Sequence, residues 1–109
     1  MAKQMTIDFG GEKYTLEFTR DSVRQMESAG FNIDKAMATP LLSTETLFTG
    51  AFLANHGRAI KDRIPEKIIK NKLPKGILTK LIEMYNDPLT EMFTDDEDGE
   101  GNLKWETNF

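Results

Sequence analysis

Apolar and polar residues alternate strictly over positions 5–9 and again over 14–18. Met5, Ile7 and Phe9 are separated by Thr6 and Asp8, and Tyr14, Leu16 and Phe18 by Thr15 and Glu17. A period of two is that of a half-buried strand. Gly10-Gly11 between the two runs supplies the positive φ angles of a tight reversal, so 4–18 is predicted to be a β-hairpin. The period then lengthens. Thr19 can cap a helix with its hydroxyl, and Asp21 sits where the helix dipole favours negative charge. Val23 and Met26 share one face of that helix. Gly30 can close it in the left-handed conformation, which places Phe31 to fold back on Met26. A short helix over 32–38 is expected to stop before Pro40.

Thr39 or Ser43 then caps the most apolar helix, predicted over about 44–56 and ended by Gly57. Leu47, Ala51 and Ala54 line one side, with Phe48, Phe52 and Asn55 beside them. Pro65 suits the first turn of another helix over 66–72, with Ile64, Ile68 and Ile69 facing inward. Pro74 interrupts the chain. A helix over about 75–86 places Ile77, Leu78, Leu81, Ile82 and Tyr85 inward, and Asp87-Pro88 can cap and begin a last short helix through Leu89, Met92 and Phe93.

The predicted fold is α+β: an N-terminal β-hairpin packed on a small bundle of about four to six short helices. A two-stranded hairpin is marginal alone, so its apolar face must lie on the helices or pair with another chain. The 109 residues suit a single domain, placed at 1–93, with one modest core. Phe18, Met26, Leu47, Phe48, Phe52 and Leu81 are its candidate members. Six Met residues are read mainly as gap fillers of that core.

Charge changes the picture near the C-terminus. Residues 1–57 carry five basic and seven acidic groups, residues 58–80 eight and two, and residues 81–109 one and nine. The stretch 94–102 holds no apolar side chain and five carboxylates, so 94–109 is predicted to be an acidic flexible tail. It ends in LKWETNF, read as a frayed terminus rather than a docking motif. There is no Cys, which excludes disulfides and thiol chemistry. The first residues lack the apolar run of a secretory signal, and no window approaches ~20 apolar residues, so a cytoplasmic protein with no membrane span is expected.

No catalytic, cofactor-binding or metal-binding set emerges. His56 is the only histidine. It stands at a predicted helix end, where an imidazole interacts favourably with the last carbonyls, and no serine or cysteine motif accompanies it. A calcium loop aligned on Gly99 places Asp96 and Asp98 on ligand positions, but Thr94 and Trp105 occupy the first and twelfth. Arg58, Lys61, Arg63, Lys67, Lys70, Lys72, Lys75 and Lys80 could meet phosphate. No aromatic lies between Phe52 and Tyr85 to stack bases, so the basic run reads as a solvated face and nucleic acid is not an expected partner.

The order of elements resembles that of the small tail assembly chaperones of long-tailed bacteriophages and prophages. The resemblance rests on the glycine-turn hairpin TIDFGGEKYTLEF, the helix carrying MESAGFNID, the apolar motif LFTGAFLANHG and the Lys-rich segment with its last helix pair, from about Thr6 to Phe93. It implies a non-enzymatic helper of the bacterial host cytoplasm. Such a helper binds the tape-measure protein, recruits tail-tube subunits and is absent from the mature virion. Many members are made in two lengths by a ribosomal frameshift, and the acidic tail would sit where the short form ends. Ile77, Tyr85, Met92 and Phe93 are the candidate partner-binding residues, and the hairpin edge is a candidate for self-association. A nucleic-acid-binding regulator using 58–80 is the alternative.

Overall fold

The computed structural model describes residues 3–92. Phe93 and the predicted tail 94–109, with its calcium-loop alignment and terminal aromatics, lie outside the described residues. The fold is α+β. An antiparallel hairpin of β1 (Met5–Phe9) and β2 (Glu12–Leu16) precedes α1 (Arg20–Ser28), a 3-10 helix (Ile33–Ala38), α2 (Pro40–Gly50), α3 (Gly57–Lys61), α4 (Ile64–Ile69) and α5 (Ile77–Met92).

The local chemistry sets the first elements. Gly10 and Gly11 have φ of 60° and 84°, the left-handed pair of a two-residue hairpin turn whose twist matches the strands. The turn fixes the register, with Phe9 opposite Glu12, Ile7 opposite Tyr14 and Met5 opposite Leu16. Met5, Ile7 and Phe9 therefore share one sheet face with the buried Tyr14 and Leu16 and pack against the core. Helix α1 opens on a reciprocal cap: the Thr19 hydroxyl accepts from the Ser22 N–H, and Ser22 Oγ accepts from the Thr19 N–H. It closes on Gly30, whose φ is 103°. There the N–H groups of Gly30 and Phe31 donate to the carbonyls of Glu27 and Met26, which satisfies two last-turn acceptors.

The core runs between the hairpin, α1, α2 and α5, and α5 touches both α1 and α2. All six predicted core residues, Phe18, Met26, Leu47, Phe48, Phe52 and Leu81, are buried. Aromatic rings form two chains through it. Tyr14 meets Phe52 with centroids 5.6 Å apart, and Phe52 meets Phe48 at 5.5 Å. Tyr85 takes Phe18 and Phe31, each at 5.3 Å and edge-on, the geometry the ring quadrupoles favour. At α1 and α2 the helices approach so closely that a Cβ on Gly50 would stand 2.5 Å from Met26 Sδ.

Several predicted boundaries differ: α2 begins at Pro40 rather than about 44, α4 spans Ile64–Ile69 rather than 66–72, and α5 begins at Ile77 rather than about 75. Helix α2 stops at Gly50 instead of reaching His56. The Ala51 carbonyl, which a continuing helix would offer to Asn55, accepts the Glu17 N–H at 3.1 Å instead. The following residues form turns, and Gly57 opens α3 rather than closing α2. The expected break before Pro88 is absent, and α5 continues through it to Met92. Asp87, predicted to cap a new helix, has its Oδ2 bound to the Lys3 backbone N–H at 3.0 Å. Proline inside a helix forfeits a hydrogen bond, but Pro88 is buried, and that packing holds it in line. Helix α4 begins at Ile64, with Pro65 in its first turn as expected.

Candidate partner-binding surfaces

Two of the four predicted partner-binding side chains are core. Ile77 is 9% exposed and Tyr85 0%. The 3.6-residue pattern that places them inward is correct, and their nomination as a surface is not: α5 turns that stripe onto α1 and α2. The Tyr85 hydroxyl is buried and has no hydrogen-bond partner among the described residues. Burial, and secondarily the Glu27 charge, push its pKa up to about 12, because the phenolate would lose hydration without compensation. Met92 is the last described residue of α5, and Phe93 lies beyond it.

The exposed apolar groups lie elsewhere. Met37 at the end of the 3-10 helix is 68% exposed, and Leu41 and Leu42 in the first turn of α2 are 77% and 65% exposed. Leu42 borders an open groove of about 380 Å³, lined also by Met26, Phe31 and the more polar Lys35, Thr39 and Thr46. Large side chains exposed together at a groove mark interaction surfaces more often than single exposed leucines do. The signal was present in AMATPLLSTET. Four residues beyond Leu41 and Leu42 stand Glu45 and Thr46, so their stripe does not continue down the helix. The core face of α2 instead runs through Ser43, Leu47, Phe48 and Gly50.

His56 does not stack its charge on a helix end. Its Nε2 accepts the Thr15 N–H at 3.0 Å, which places the ring proton on Nδ1. Asn55 Nδ2 donates to the Thr15 carbonyl at 3.3 Å and to Glu17 Oε2 at 2.8 Å. The imidazole is also edge-on to Tyr14, with centroids 5.1 Å apart. Asn55 and His56 thus act as a side-chain strand that finishes the outer edge of β2. The Tyr14 phenol leans on Glu12, 3.2 Å away. Its burial, then that hydrogen bond and the Glu12 and Asp62 charges, raise its pKa above the ordinary value. Glu12, Tyr14, Asn55, His56, Arg58 and Asp62 line a second, polar cleft of about 400 Å³. Among the described residues, no group of three or more His, Asp or Glu is placed to hold a metal ion. None of the described helices is long and apolar enough to cross a membrane. The eight cations of 58–80 are all exposed.

A family model described as a domain of unknown function, DUF5055, matches residues 1–109. The chain belongs to this family. No curated protein and no solved structure matches the DUF5055 chain. The candidate surfaces on this chain are the exposed Met37, Leu41 and Leu42 and the outer edge of β1.

Proposed function

We propose that this chain is a tail assembly chaperone of a long-tailed bacteriophage or prophage, a non-enzymatic protein that holds the tape-measure protein and recruits tail-tube subunits. It works in the host cytoplasm and leaves before the virion is complete. The observation that carries the reading is the apolar shelf of exposed Met37, Leu41 and Leu42, of which Leu42 borders the Met26–Phe31 groove. A helical client with apolar side chains at i, i+3 and i+4 can lay them on such a shelf. The order of hairpin, capped helix, apolar helix and final helices supports the same resemblance. The client is then an amphipathic segment of a long helical tape measure, with Lys35 at the groove able to meet an acidic residue on it.

Co-expression with fragments of a tape-measure protein from a long-tailed phage tests the proposal. The chain should keep a fragment soluble and co-purify with it. Leu41→Asp with Leu42→Asp should abolish capture while leaving the thermal midpoint nearly unchanged, because both side chains are already in solvent. Equal capture by the double variant would remove the shelf from the mechanism. Failure to bind any fragment, together with tight duplex binding at ~150 mM salt and a steep salt slope, would favour the regulator built on 58–80.

A further inference from the structure

The two edges of the hairpin are not equivalent. In a two-residue hairpin closed by Phe9 and Glu12, ladder bonds join Phe9 to Glu12, Ile7 to Tyr14 and Met5 to Leu16, and the intervening residues direct their N–H and C=O groups outward. The bonds of Thr15 to His56 and Asn55 confirm this phase on β2. The β2 edge is closed at Thr15 and again at Glu17, which donates to Ala51. On β1 the outward groups belong to Thr6 and Asp8, and among the described residues nothing pairs with them. Both side chains are exposed, and β1 has no Pro, Lys or bulge to block pairing, its one edge charge being Asp8.

We infer that β1 pairs antiparallel with β1 of a second copy of this chain, across a two-fold axis at Ile7, to give a four-stranded sheet. The occupant follows from the self-complementarity of the strand. Outward-directed groups must face outward-directed groups, which allows centres at Thr6, Ile7 or Asp8. A centre at Asp8 sets two carboxylates face to face. A centre at Thr6 places Met5 opposite Ile7 and leaves Phe9 without an opposing strand residue. A centre at Ile7 pairs Thr6 with Asp8 twice, Ile7 with Ile7 and Met5 with Phe9 twice. The apolar stripe of Met5, Ile7 and Phe9 then runs unbroken from one hairpin to the other. Closure follows from the other edge: Asn55 and His56 occupy β2, so the assembly stops at two rather than growing into a filament. Two five-residue edges cover less than the ~1,200–2,000 Å² of a standard interface, so the dimer is weak and concentration-dependent. This inference stands apart from the chaperone proposal, since it uses a different face and needs no client.

Sedimentation equilibrium of the whole chain from about 10 μM to about 1 mM, a range chosen for a weak interface, gives the first readout. The mass should rise from 12.4 kDa toward twice that value and no further. Amide exchange at Thr6 and Asp8 should slow over the same range. Thr6→Pro removes an outward N–H and leaves the β1–β2 ladder intact. It should keep its thermal midpoint and remain monomeric throughout. A paired charge test addresses the register. Thr6→Lys sets a cation opposite Asp8 of the second copy and should tighten the dimer about two- to thirty-fold over two pairs, whereas Thr6→Asp should weaken it by a similar factor. A monomer at the highest concentration with fast Thr6 and Asp8 exchange would overturn the inference. So would a Thr6→Pro variant that dimerises like the parent, a ladder of higher oligomers, or the same response to both charges. Protection of Thr6 and Asp8 only when an extended client peptide is added would also overturn it, and would assign the edge to the client.

Discussion

Gly50→Ala separates helix propensity from packing at the place where the two oppose each other most directly. Alanine in a helix is better than glycine by about 1 kcal/mol, and Gly50 ends α2 with no positive φ that would demand glycine. Propensity alone therefore predicts a more stable protein. The structure predicts the reverse. The new methyl would lie 2.5 Å from Met26 Sδ, 2.6 Å from Cε and 3.3 Å from Cγ, and real contacts of that kind need more than about 3.4 Å. Met26 must swing away, yet it is buried against the core cluster at the α1–α2 crossing. Overpacking of this kind costs about 1–3 kcal/mol. The propensity gain is smaller in the last turn than in mid-helix, so the net effect should be a loss of about 1–2 kcal/mol. For a domain of this size that lowers the thermal midpoint by roughly 4–8 °C per kcal/mol. Urea titration of Gly50→Ala, Met26→Ala and the double variant measures it. Met26→Ala alone loses a buried side chain and should cost about 2–5 kcal/mol. In its background Gly50→Ala has a void to enter and should become neutral or stabilising, a positive coupling between contacting sites. A stabilising Gly50→Ala in the parent protein, with no coupling to position 26, would refute the close crossing.

Three further outcomes follow from the same geometry. Phe52→Ala should lose about 3–5 kcal/mol by denaturant titration, because Phe52 is fully buried and touches Tyr14 and Phe48 edge-on or tilted; a loss near zero would mean that the ring after α2 lies outside the core. Tyr85→Phe removes a buried hydroxyl with no partner among the described residues and should raise stability by about 1 kcal/mol near neutral pH. The phenol titrates at about 12 when folded and at its ordinary ~10 when unfolded, so the parent should lose stability as pH rises from ~10 toward about 12, where the unfolded state gives up its proton first; alkaline titration should show that loss in the parent and not in the variant. His56→Ala leaves the Thr15 N–H without its acceptor and should cost about 1–3 kcal/mol, with faster Thr15 amide exchange as the specific signature.

What the sequence made legible was local. The hairpin register follows from two adjacent glycines, and both ends of α1 follow from Thr19 and Gly30, whose chemistry acts within a few residues. The six core residues were legible because periodicity reports which face is apolar. The two largest failures share one physical cause. The end of α2 and the missing break at Pro88 each turn on a polar group claimed by a partner distant in sequence: the Ala51 carbonyl by Glu17, and the Asp87 carboxylate by Lys3. A pattern that reads α2 through to His56 assumes that Ala51 bonds to Asn55, and one that starts a helix at Asp87 assumes a free cap. Neither assumption can be tested from spacing.

The same cause hid the surfaces. Asn55 and His56 looked like the end of a helix, and their release from α2 by the Glu17–Ala51 bond is what lets them reach Thr15. One tertiary hydrogen bond thus shortens α2, closes the β2 edge and leaves β1 as the edge open to a partner. Ile77 and Tyr85 were misassigned in the opposite sense, since an apolar stripe on a late helix says that it will be covered, and α1 and α2 cover it. Of the residues left bare, Met37, Leu41 and Leu42, the two leucines have polar i+4 positions, Glu45 and Thr46, so no apolar stripe continues from them down α2. An apolar side chain that starts no stripe has no core to join, and that is the property a client-binding shelf requires.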